Sequence, residues 1–67
     1  MRWFEINPRQ VVRGVRMGGF PFRARIATRV DVMFQDGQVM ESMPAGCFNY
    51  AYPANPILAV RLSVAKV

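Results

Sequence analysis

The longest regular pattern in this chain is a two-residue alternation from Phe22 to Phe34. Its even positions are Phe22, Ala24, Ile26, Thr28, Val30, Val32 and Phe34; its odd positions are Arg23, Arg25, Ala27, Arg29, Asp31 and Met33. Side chains alternate across a strand, so this spacing predicts a long strand with an apolar face and a largely basic face. Asp36-Gly37 then predicts a tight hairpin of type I′, because both residues tolerate positive φ. That turn pairs Phe34 with Val39 and Met33 with Met40. Further extended segments are expected at Arg2–Ile6, Gln10–Arg16, Gln38–Met43, Cys47–Tyr52 and Ile57–Lys66, separated by Asn7-Pro8, Gly18-Gly19, Pro44-Ala45-Gly46 and Pro53-Ala54-Asn55-Pro56. In the last segment Leu58, Val60, Leu62 and Val64 share a face. No window carries the i, i+3, i+4, i+7 spacing of an amphipathic helix. Short alternating strands between Gly/Pro turns read as an all-β chain, a small barrel forming a single domain over residues 1–67.

Composition narrows the class. The chain has 67 residues, 52% of them hydrophobic, which excludes the low-hydrophobicity composition of disordered proteins. A core this small is marginal alone, and self-association is a common remedy. No apolar run approaches the ~20 residues of a membrane-spanning helix. Cys47 is the single cysteine and histidine is absent, so neither an internal disulfide nor a Cys/His metal site is expected. Reducing, cytoplasmic conditions suit such a chain. Cys47 and Met17, Met33, Met40 and Met43 are expected as packing residues.

Charge is unevenly placed. Residues 1–29 hold seven arginines and one acid, Glu5, for +6; residues 30–67 hold Arg61, Lys66, Asp31, Asp36 and Glu41, for −1. The carboxylates form no acid/base pair, and Ser42 and Ser63 have no base in view, so an enzyme is not expected, nor is a cofactor. The arginines have two readings: they solubilise an exposed face, or they hold a polyanion. A solubilising face normally mixes signs, and no acid is interleaved among Arg23, Arg25 and Arg29, which favours nucleic acid. Arginine contacts phosphate bidentately and stacks on bases. The aromatics point to a single strand, whose open base faces stack on rings. Phe20 and Phe22 flank Pro21 beside Gly18-Gly19 in a loop between Arg16 and Arg23. Phe22 also begins the apolar face, so it is either a stacking ring or a core ring; Tyr50 and Tyr52 are equally open.

These residues resemble the gene V-type single-stranded DNA-binding proteins of filamentous bacteriophages (inovirus). Phe4-Glu5-Ile6-Asn7-Pro8-Arg9-Gln10 is similar to that family's first strand, Gly18-Gly19-Phe20-Pro21-Phe22 to its DNA-binding wing, Pro44-Ala45-Gly46-Cys47-Phe48 to a strand start, and Leu58–Lys66 to its final strand. The resemblance implies a five-stranded OB-like barrel and a two-fold homodimer. It implies a viral protein acting in DNA replication in the host cytoplasm, one that coats single-stranded DNA stoichiometrically with little sequence preference, through cooperative dimer–dimer contacts. Carried over by position, Phe22 matches the base-stacking aromatic and Arg13 or Arg16 the phosphate-binding arginine before the wing. Arg29 stands where the family usually has another aromatic. The loop near the dimer axis is shortened to Pro53–Pro56, leaving Tyr52 as the candidate stacking residue from a partner subunit.

The expected nucleic-acid-binding residues are therefore Arg13, Arg16, Phe20, Phe22, Arg23, Arg25, Arg29 and Tyr52. Two other readings stand beside this one: an RNA-binding barrel or translational repressor, which would use the same residues, and a small phage-type inhibitor that binds an acidic host protein.

Overall fold

The computed structural model describes residues 2–64, and within them the fold is all-β, with four antiparallel strands in one sheet. The strands are β1 (Phe4–Glu5), β2 (Arg29–Phe34), β3 (Val39–Pro44) and β4 (Ile57–Leu62), in the order β1-β4-β2-β3. Single-turn 3-10 helices occupy Pro8–Gln10 and Ala45–Cys47. The first is set by local chemistry. The Asn7 side chain accepts from Arg9 N at 3.1 Å, and Pro8 brings the fixed φ that suits a first helical position. The sheet is open, with β1 and β3 at its edges, where a closed five-strand barrel was expected.

One face of the sheet makes the core. Val32 lies opposite Val60, and Val30 and Ile57 join them with no exposed surface. Met17, Ala24, Ala45, Phe48 and Tyr50 pack onto these residues from the two long connections, residues 6–28 and 45–56. The β-branched side chains suit a pleated surface, and burying each contributes about 1.5–3 kcal/mol.

Three departures from the expected strands have local causes. The long Phe22–Gln35 strand begins only at Arg29. A turn intervenes, with Thr28 N donating to the Arg25 carbonyl at 3.0 Å and Thr28 Oγ1 accepting from Arg25 N at 2.8 Å. The carbonyls of Ile26 and Thr28 then accept from Gly46 N and Ala45 N instead of a neighbouring strand. At the hairpin only Gly37 has positive φ, at 89°. Gly37 N donates to Phe34 O and Gln38 N to Asp36 Oδ1, so the turn takes one residue more than type I′ needs. Met33 consequently pairs with Val39 and Val32 with Met40, one residue off the expected register. In β4 the register shifts between Met33 and Phe34, whose partners are Ala59 and Ile57, leaving Leu58 as a bulge. Ile57 is buried beside Val60 in consequence, while Leu58, Leu62 and Val64 stay 42%, 40% and 61% exposed. Residues 65–66 of the expected last segment lie outside the described residues.

Gln10–Arg16 and Cys47–Tyr52, both expected as strands, form no ladder among the described residues. The first joins its surroundings through bridges between Val12 and Gly18 and between Arg16 and Arg25; the second is the end of a 3-10 turn followed by irregular chain and a turn at Tyr50-Ala51. Cys47 is exposed rather than packed, because Ala45 fills the buried place in that turn.

Candidate functional site

Residues 16–25 form a hairpin-like wing over the core. Its arms meet at a bridge between Arg16 and Arg25, and Met17 N donates to the Ala24 carbonyl at 2.9 Å. Alternation sorts the arms. Met17 and Ala24 turn inward and are buried, whereas Arg16, Arg23 and Arg25 turn outward. The base of the wing is held against the 3-10 turn. Val12 and Gly18 exchange both backbone hydrogen bonds, at 3.1 and 3.2 Å. Gly19 has φ 84°, and a Cβ there would stand 2.5 Å from the Gln10 carbonyl oxygen, so only glycine permits this approach.

Between the arms lies a groove of about 480 Å³, lined by the continuous stretch from Arg16 to Arg25. Its size falls in the range of small-ligand sites. The lining combines Arg16, Arg23 and Arg25 with Phe20, Pro21 and Phe22, and contains no acid. Among the described residues, the side chains of these three arginines form no hydrogen bond or ion pair. Two like charges directly opposite on adjacent strands repel, so the Arg16–Arg25 pair carries an electrostatic cost that a bound anion would offset.

The two rings belong to a longer row. Phe4 meets Phe22 with centroids 6.2 Å apart, Phe22 meets Phe20 at 5.5 Å, and Phe20 meets Tyr50 at 5.4 Å. Tyr50 meets Phe48 at 5.8 Å and Phe48 meets Phe34 at 6.2 Å. Every contact is edge-to-face, the arrangement that the ring quadrupole favours. The Tyr50 hydroxyl donates to the Ala45 carbonyl at 2.6 Å, and burial, with a smaller contribution from Cys47, pushes its pKa far above the usual range. Phe20 and Phe22 are thus half-buried rings seated on the core and open on one side to the groove.

Comparison with protein-family models, with curated proteins and with solved structures returned no match.

The wing gathers Arg16, Phe20, Phe22, Arg23 and Arg25 at one place. The other expected site residues lie outside the groove lining. Arg13 Nη1 donates to the Phe48 carbonyl at 3.3 Å, tying the 12–18 loop to the second connection. Arg29 Nη1 donates to the Ser42 carbonyl at 3.0 Å, across to β3. Tyr52 is 54% exposed in the turn after Asn49. Of the two arginines before the wing, Arg16 lines the groove and Arg13 is engaged in a backbone contact. The Arg16–Arg25 pairing has no signature in composition or alternation; it follows from the hairpin that Gly18-Gly19 and Pro21 allow.

On the opposite sheet face the charges pair with one another. Arg61 Nε lies 2.8 Å from Asp31 Oδ2 and Arg61 Nη2 lies 3.6 Å from Glu41, while the guanidinium stacks 4.2 Å above the Trp3 ring. Among the described residues no three His, Cys, Asp or Glu side chains group to hold a metal ion, and no helix is long and apolar enough to cross a membrane.

Proposed function

We propose that this protein binds single-stranded DNA through the wing groove, with arginines on phosphates and the open sides of Phe20 and Phe22 against bases. The observation that carries this reading is the Arg16–Arg25 pair in a groove whose lining holds two phenylalanines and no acid. Facing arginines with no ion pair among the described residues favour an anion, and accessible rings beside them favour an anion that carries an unstacked base. A closed duplex offers phosphates but hides its base faces, so it fits the groove less well.

The resemblance to the gene V-type proteins of filamentous bacteriophages supports the same reading. Within it the protein is a viral coat for single strands during DNA replication, acting in the host cytoplasm. Its wing would extend from an OB-like barrel. Stoichiometric coating and a homodimer belong to this proposal. The apolar surface left on Phe4, Met40, Leu62 and Val64 supports self-association.

The test is an anisotropy titration of labelled oligothymidylate at several salt concentrations. Binding should weaken with salt at a log–log slope of about −2, from roughly three phosphate contacts at 0.7 each. Duplex of equal length should bind more weakly. Binding that is indifferent to salt, or tighter for duplex, would overturn the proposal.

A further inference from the structure

The Arg16–Arg25 bridge also bears on which phosphate the groove takes. The hydrogen bond from Met17 N to Ala24 O flanks the bridge, which makes Arg16 and Arg25 a non-hydrogen-bonded antiparallel pair. In such pairs the Cα atoms stand about 4.5 Å apart and the side chains leave the same face. Two guanidinium forks rooted so closely are within reach of one ligand atom group. Arg23 stands two residues from Arg25, exposed on the same side, and no acid lines the groove. An internal phosphodiester carries a single negative charge and leaves one of the paired arginines uncompensated. A phosphate monoester above its second pKa, about 6, carries nearly two charges and three acceptor oxygens, enough for both forks.

We infer that the Arg16–Arg25 pair is a clamp for one phosphate monoester, so that a phosphorylated strand end is the preferred occupant of the groove. This rests on the nucleic-acid reading above. The neighbouring rings then receive the terminal base, which has a neighbour on one face only. The 480 Å³ groove is bounded by ten residues of one hairpin, room for a single terminal nucleotide.

The experiment compares oligothymidylates of one length carrying a 5′-phosphate, a 3′-phosphate or only hydroxyl ends, titrated at pH 8 and pH 5. One of the phosphorylated strands should bind about tenfold tighter than the hydroxyl strand at pH 8. The advantage should shrink as pH falls through about 6. It should disappear in Arg16→Gln and in Arg25→Gln and persist in Arg9→Ala, an exposed position outside the groove. Equal affinity of all three strands at pH 8 overturns the inference while leaving single-strand binding in place, as does an advantage that survives Arg16→Gln. If no oligonucleotide binds, the nucleic-acid reading fails, and inorganic phosphate decides the clamp alone. A rise in Tm with phosphate in the wild type and not in Arg16→Gln supports it; the same rise in both, or in neither, overturns it.

Discussion

Asp31 and Arg61 face each other directly across β2 and β4, with Arg61 Nε 2.8 Å from the carboxylate. The other carboxylate oxygen accepts from Ser42 N at 3.0 Å, where Ser42, at φ 55°, sits in the bulge of β3. This arrangement withdraws Arg61 from any ligand and fixes the register of three strands. Burial alone would raise the Asp31 pKa. Hydrogen bonds from Arg61, Ser42 and Ser63, with the Arg61 charge, outweigh it and hold the carboxyl below its usual value.

A lowered folded-state pKa means that the carboxylate stabilises the fold above its unfolded pKa and loses that contribution as pH falls through the folded value. Acid unfolding of the wild type should therefore gain a component only below about pH 4. Asp31→Asn should remove that component and cost about 2 kcal/mol near neutrality, since Arg61 and Ser42 N lose a charged acceptor. Urea melts between pH 3 and pH 7 measure both.

Arg13 and Arg16 are separable. Arg16→Ala should weaken oligothymidylate binding and reduce the salt slope by roughly 0.7, with Tm no lower than in the wild type, since the repulsion from Arg25 is relieved. Arg13→Ala should leave the slope alone and cost about 1 kcal/mol of stability, because its guanidinium serves the Phe48 carbonyl. The reverse assignment in titration and melting would refute the groove as drawn.

Phe22→Ala should change two observables together. Its ring is half-buried against Phe4 and Phe20 and open to the groove. Stability should drop by about 2 kcal/mol, below the cost of a fully buried ring, and binding by about 1–3 kcal/mol. Phe20→Ala should cost at least as much stability, since it links Phe22 to Tyr50. A Phe22→Ala protein that melts and binds like the wild type would contradict both roles of the ring.

Gly19→Ala should detach the wing. The added methyl meets the Gln10 carbonyl oxygen, and alanine resists φ 84°. A cost of about 1–3 kcal/mol is expected. Amide exchange should quicken at Val12 and Gly18, whose bonds close the wing base, more than at Val30 or Val32 in the sheet.

Self-association is measurable directly. If the exposed apolar residues Leu62 and Val64 cover a second copy, Tm should rise with protein concentration and light scattering should give twice the mass of one chain. A folded monomer at micromolar concentration would exclude an obligate dimer.

The alternation of residues 22–34 reads burial well. Val30 and Val32 face the core, Ala24 is buried, and Arg23, Arg25 and Arg29 are exposed. A two-residue period records which side of an extended chain meets apolar neighbours, whether or not that chain is hydrogen-bonded as a strand. Hence the same pattern continues through the Arg25–Thr28 turn, and it did not reveal that Ile26 there is 50% exposed or that Asp31 is buried against Arg61. The wing was legible for the same local reason, since Gly18-Gly19 and Pro21 set a reversal and Phe20 and Phe22 flank it. Contacts that depend on distant segments were not. The pairing of Arg16 with Arg25, the row of rings from Phe4 to Phe34, and the bulge that buries Ile57 in place of Leu58 each require two segments at a defined separation. Local spacing sets which side of the chain a residue takes, but the packing of the connections on Val30, Val32 and Val60 decides which partner it meets.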